Sequence, residues 1–179
     1  MKIIKNTTIK IVFIAFFLLV GCGFEVIYKD HELSTSLAYR LASIKIEKKL
    51  TQLDWELQSS LYNLLNPDKI DIATKYLLIL QTTTTTSSTY ITSTGAAGRN
   101  RITITTNYTL QNLETNQIVG SGSVTASDNY DISINRFGTA VAEEYVRNNI
   151  LKIISTNLRN ALVGDFVALS KKSILIPLI

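Results

Sequence analysis

The side chains most used for covalent and metal chemistry, thiol and imidazole, are scarce in this sequence. The chain has one cysteine, Cys22, and one histidine, His31. A transition-metal shell is assembled from several such ligands, so a single thiol and a single imidazole assign no metal site. Glu143 and Glu144 are adjacent, and neighbours on a helix point in different directions, which disfavours a carboxylate pair sharing acid and base work. They read as surface charge. Gly120-Ser121-Gly122 is too short for a phosphate loop or a dinucleotide fingerprint, and no nucleophile elbow occurs. The expectation is a chain without catalytic residues or cofactors. Arginine is the side chain left to consider, because its planar fork matches phosphate groups.

Cys22 has a different chemistry available. Met1 to Lys10 is cationic, Ile11 to Val20 is an unbroken apolar run, and Leu19-Val20-Gly21-Cys22 resembles a bacterial lipobox, in which the cysteine sulfur accepts a diacylglycerol. The apolar run is too short to span a bilayer, which takes about 20 residues. A chain beginning at acylated Cys22 is held on a membrane surface by its lipid. Gly23 follows, where an Asp would resemble an inner-membrane retention signal, so the periplasmic side of the outer membrane is the expected location. The charge agrees: of 18 Lys and Arg against 14 Asp and Glu, three lysines lie in the first 21 residues, leaving 15 against 14. A phosphate-neutralising nucleic-acid binder would keep its positive excess in the folded domain, so nucleic acid is not an expected partner.

The remaining 158 residues have no disulfide and must be held by an apolar core, for which they suffice. Residues 1–21 are read as a lipoprotein signal peptide, 22–40 as a lipidated tether, 41–163 as the folded domain and 164–179 as a C-terminal tail ending in an apolar run. Leu41 to Glu47 predicts a short strand. Leu50, Leu53, Leu57, Leu61 and Leu64 then form a helical stripe, opened by Thr51 and Asp54 and stopped by Pro67. Tyr76 to Thr92 predicts a long strand, because the threonine run favours extended geometry through its branched side chains. Turns are expected at Gly95 to Gly98 and at Glu114 to Gln117. Ile102, Ile104, Tyr108 and Leu110 occupy even positions, as do Ile118, Val124, Ala126, Tyr130, Ile132 and Ile134, while the odd positions are polar. From about Asn135 to Val163, Phe137, Val141, Tyr145, Leu151, Ile154, Leu158 and Leu162 lie near helical spacing and would cover the apolar face. The fold class expected is α+β: a two-layer sandwich of a mostly antiparallel four-stranded sheet with two helices packed on one face.

The other face is unusual. Residues 82–127 contain 14 Thr and 6 Ser among 46 residues, with few charges. A solvated sheet is commonly defended by charged side chains. Thr103, Thr105, Ser121, Ser123 and Thr125 therefore mark either a threonine-rich wet face or a surface covered by a partner that exchanges hydrogen bonds with hydroxyls.

Taken in order, Cys22-Gly23-Phe24 followed by Tyr28, a short strand, an amphipathic helix, Arg99 and Arg101 leading into Tyr108-x-Leu110, Gly120-x-Gly122 ending at Tyr130, and Phe137-x-x-Ala140 with Ala142-Glu143 resemble the lipopolysaccharide-assembly lipoprotein family LptE. Ile27 stands where the family often has Pro, and the final helix has fewer alanines. The resemblance covers nearly all of the chain after the signal peptide. It implies a plug within an LptD β-barrel of the outer membrane, helping the barrel fold and passing lipopolysaccharide to the cell surface. It also implies a ligand with clustered phosphates, for which Arg99, Arg101 and Arg136 at the strand tip are the candidates. A hairpin register summing to about 232 would set Arg101 opposite Asp131, so that Arg101 serves either a cross-strand pair or the ligand, while Arg99 keeps more freedom. The competing function is a periplasmic lipoprotein that supports another envelope complex and has no glycolipid ligand.

Overall fold

Period-two alternation builds a sheet here, and helical stripes build its cover. The computed structural model describes residues 31–47, 52–91 and 97–175. In chain order these form helix α1 (His31–Ala42), strand β1 (Ile44–Ile46), helix α2 (Gln52–Leu65), strands β2 (Tyr76–Ile91), β3 (Ala97–Asn112) and β4 (Ile118–Asp131), and helix α3 (Arg136–Leu175). From Thr35 onward the chain is one compact unit. The sheet order is β1-β2-β3-β4.

The architecture is an α+β sandwich, with two departures from the expected one. The sheet is mixed: β1 runs parallel to β2, while β2–β3 and β3–β4 are antiparallel. Parallel neighbours need a long crossover, and α2 supplies it between β1 and β2. There are also three described helices instead of two. The first, α1, occupies part of the stretch expected to be an irregular tether. Its inward stripe is only Leu37 and Leu41, both 3% exposed, one turn apart among Ser, Thr and charged neighbours. Leu41 thus belongs to a helix instead of opening β1. Ser43 ends that helix, donating its N–H to the Tyr39 carbonyl at 3.1 Å and its hydroxyl to the Arg40 carbonyl at 2.7 Å.

Helix α2 buries Leu57 and Leu61 of the expected stripe but ends it on Leu65, leaving Leu53 and Leu64 half-buried, with Leu50 and Thr51 outside the described residues. Beyond it, buried Asn66 clasps the turn. Its Oδ1 accepts the Ile70 N–H at 2.8 Å and its Nδ2 donates to the Ile70 carbonyl at 3.0 Å, around Lys69 at φ 51°.

Helix α3 runs 40 residues, about 60 Å at 1.5 Å per residue. Asn135 caps its start, accepting the Phe137 N–H at 3.0 Å. The inward stripe is Val146, Ile150, Ile154, Leu158, Leu162 and Phe166, all buried. Phe137, Val141 and Tyr145, expected to cover the sheet, are exposed. They repeat at the same interval of four but end one residue out of phase with that stripe, which turns them about 100° away. Residues 164–175, expected to be a tail, continue the helix. Phe166 is fully buried and meets the Tyr76 ring edge-on at 5.0 Å, with the Arg40 guanidinium 6.0 Å from its centroid.

Candidate functional site

The odd residues of the three long strands make one surface. Across it, Thr83, Thr105 and Thr125 lie side by side, as do Thr85, Thr103 and Ser127. Ser121 pairs with Thr109 and Ser123 with Asn107. All five residues assigned to the contact face therefore share one side of the sheet. Their hydroxyls engage one another sparsely: Thr105 and Thr125 share a hydrogen bond at 3.0 Å, and Thr85 donates to the Thr103 carbonyl at 3.4 Å. Ser121, Ser123 and Thr125 are exposed, and Thr103 and Thr105 are half-buried between their neighbours.

From Arg99 to Leu110 the β3–β4 register sums to 230, not 232, and a bulge at Leu110/Gln111 lowers it to 229 beside the hairpin turn. Ile118 consequently pairs with Gln111 on the polar side and is 67% exposed instead of joining the core, while Ile134 lies beyond β4 and is also exposed. The turn itself forms where expected, with Asn112 Oδ1 accepting the Glu114 and Thr115 N–H groups at 2.8 and 3.1 Å.

This register also exchanges the roles of the two arginines. Arg99, not Arg101, faces Asp131, and its Nε donates to the carboxylate at 2.6 Å. That bond and the Arg99 charge hold the Asp131 carboxyl below its ordinary range and push the Arg99 guanidinium above its own. Arg101 instead donates from Nε to Asn129 Oδ1 at 3.1 Å. Each bond uses Nε, and among the described residues no partner meets the terminal nitrogens of either guanidinium. With Thr89, Tyr90 and Gly98 these four side chains line an open depression of about 580 Å³. Arg136 starts α3 close by in sequence but does not line it. Cys22 lies outside the described residues.

Beneath the polar surface, the even residues connect to α3. Asn100 donates to the Tyr130 hydroxyl at 3.1 Å, Tyr130 donates to Glu143 Oε2 at 3.3 Å, and Arg147 holds Glu143 Oε1 at 2.8 Å. Glu143 is thus a tie between sheet and helix, not free surface charge. Further along, the Tyr108 hydroxyl donates to Asp165 Oδ2 at 3.0 Å. Burial, then the bond and charge of Asp165, push the Tyr108 hydroxyl up to about 12. Burial raises the Asp165 carboxyl as well, and the Tyr108 bond opposes that rise. Gly120 and Gly122 make the contact possible. A Cβ on Gly120 would strike the Asp165 carboxyl, and one on Gly122 would come within 2.9 Å of the Tyr108 ring. The glycine pair was visible in the sequence, but the helix residue it makes room for was not. Among the described residues no group of side chains could hold a metal ion, and no helix is long and apolar enough to cross a membrane.

No family model and no curated protein matches the chain. Solved structures do. A Caulobacter crescentus CB15 lipoprotein superposes with a TM-score of 0.59 at 14% identity, over 73% of this chain and 95% of that one. Rare lipoprotein B from Shewanella oneidensis gives 0.55 at 11% identity, over 71% and 96%. Lipoprotein B from Nitrosomonas europaea, an uncharacterized protein, gives 0.54 at 10% identity, over 70% and 83%. The fold is therefore one found in bacterial lipoproteins.

Proposed function

We propose that this chain is a noncatalytic outer-membrane lipoprotein, anchored through acylated Cys22 on the periplasmic side. It seats as plug and assembly partner of an LptD-like β-barrel and helps deliver lipopolysaccharide to the outer leaflet. The observation that carries this reading is the outward surface of the three long strands, which is wide, hydroxylated and almost uncharged. A polar barrel lumen offers the hydrogen-bonding groups such a surface can exchange with, at no cost in buried charge. The fold shared with bacterial lipoproteins and the lipobox support the anchor. The depression at the strand tip supports the ligand, since Arg99 and Arg101 keep their terminal nitrogens available for phosphate oxygens.

The test is co-purification from detergent-extracted outer membrane. A single large barrel retained in equal amount supports the reading, and replacing Thr103 and Thr105 by Lys should release it while the domain stays folded, because both residues face away from the core. Retention of a different envelope complex with no barrel would favour a structural accessory.

A further inference from the structure

Strand β2 is paired along its whole length on one side and only at its start on the other. β3 accompanies it from Tyr76 to Ile91, whereas β1 reaches only Tyr76 to Leu78. The Leu78 carbonyl accepts the Glu47 N–H at 2.9 Å, so Leu78 directs its backbone polar groups toward β1. Alternation then directs those of Thr82, Thr84, Thr86 and Ser88 to the same side, where no strand lies among the described residues. Natural sheets close such an edge with charge, proline, a bulge or a cover. Between Gln81 and Ser88 this one has no charged residue and no proline, and its register irregularity begins only after Ser88.

We propose that this edge pairs with the same edge of a second copy of the chain, antiparallel about a two-fold axis at Thr84. Three observations select a second copy over another strand. The run Thr82–Thr86 is symmetric about Thr84, so Thr82 lies opposite Thr86, Thr83 opposite Thr85, and Gln81 opposite Ser87, with no like charges in register. The inward side of β2 is divided: Leu78 and Leu80 are buried beneath the helices, whereas Thr84, Thr86, Ser88 and Tyr90 are exposed. The two-fold axis sets the covered end of each strand beside the uncovered end of the other, Leu80 opposite Ser88. Finally, Thr83 and Thr85 meet their counterparts on the outward side, so the hydroxylated surfaces of the two copies join as one. The pairing uses no residue of the arginine depression and does not rest on the barrel reading.

Opposed residues in a hydrogen-bonded antiparallel pair have Cα atoms about 5.5 Å apart, within disulfide range. The full chain carrying Cys22→Ser and Thr84→Cys, in detergent solution under mild oxidation, should form a covalent dimer, while Thr105→Cys in the same background should not, because β3 is enclosed by β2 and β4. Light scattering of the unaltered full chain should give twice the monomer mass, and Thr84→Pro, which removes an edge N–H, should return it to the monomer with an unchanged circular dichroism spectrum. Thr84→Lys, which opposes two like charges across the axis, should do the same if proline perturbs the strand. A monomer mass without the Thr84→Cys cross-link overturns the proposal. So does a cross-link in intact cells from that position to a different protein with no self-linked product.

Discussion

The two ends of strand β2 are built on opposite principles. Toward β1, Leu78, Leu80, Tyr108 and Leu110 are buried beneath α2 and α3, and each inward position has an apolar neighbour across the sheet or a helix above it. Toward the hairpin tip, β2 is exposed on both sides from Thr83 to Ile91, and its inward residues are hydroxylated. Strand formation therefore does not require a core at every position. Branched threonines and the β3 ladder hold the tip of β2 extended, and the buried side chains beside it, Ile102 and Ile104, belong to β3.

The sharpest way to break this comparison is to truncate equivalent apolar side chains at the two ends. Leu110→Ala or Leu158→Ala should destabilise the protein by about 2–5 kcal/mol, each leaving a cavity where the parent side chain is fully buried. Ile91→Ala, at an exposed position, should stay within about 0.5 kcal/mol. Urea denaturation compares them, and a large effect at Ile91 would show that the tip carries core energy after all. Next in size is Gly120→Ala, expected to cost about 1–3 kcal/mol because the new methyl meets Asp165. Combining it with Asp165→Ala should recover part of the loss, and simple additivity would deny the contact.

The tip should respond in binding instead. Converting Arg99 and Arg101 together to Asp should weaken lipopolysaccharide binding by about tenfold or more, through lost charge-assisted bonds and added repulsion. The parent's binding should also fall with salt. Because the Arg99–Asp131 pair is exposed, the urea midpoint should hardly move. The smallest expected effect is on pH dependence. A hydroxyl raised from 10.0 to about 12 in the folded state favours folding in its neutral form. That contribution is complete below pH 10 and is lost as pH rises through about 12. Tyr108→Phe should flatten the fall in urea midpoint across this window, and an unchanged slope would place the titration elsewhere.

Where the sequence was legible follows from the same division. β3 alternates without interruption, so its inward and outward sets, and with them the hydroxylated face, could be read from parity. The leucines of α2 were nearly as plain, though adjacent Leu64 and Leu65 left the last buried position one residue off. α3 was harder, because Phe137, Val141 and Tyr145 repeat at the interval of the true inward stripe and differ only in phase, which spacing alone does not fix. α1 was missed because two leucines among polar residues make too thin a stripe. The arginine roles were exchanged because the register sum is 230 and not 232, a difference of two that keeps parity, and so the face, but moves Asp131 from Arg101 to Arg99. Parallel pairing of β1 depends on a crossover, a long-range relation that local periodicity does not encode.

Phe166 adds a constraint on timing. It is the last fully buried side chain among the described residues, and its neighbours, Tyr76 and Arg40, belong to the first half of the chain. A polypeptide emerging from its amino end cannot close this cluster until Phe166, 90 residues after Tyr76, has been made. Until then the threonine-rich hairpins lack the helix that covers their apolar side, and they are open to association with other chains. The nascent molecule passes through a period of exposure whose length is set by how late α3 arrives.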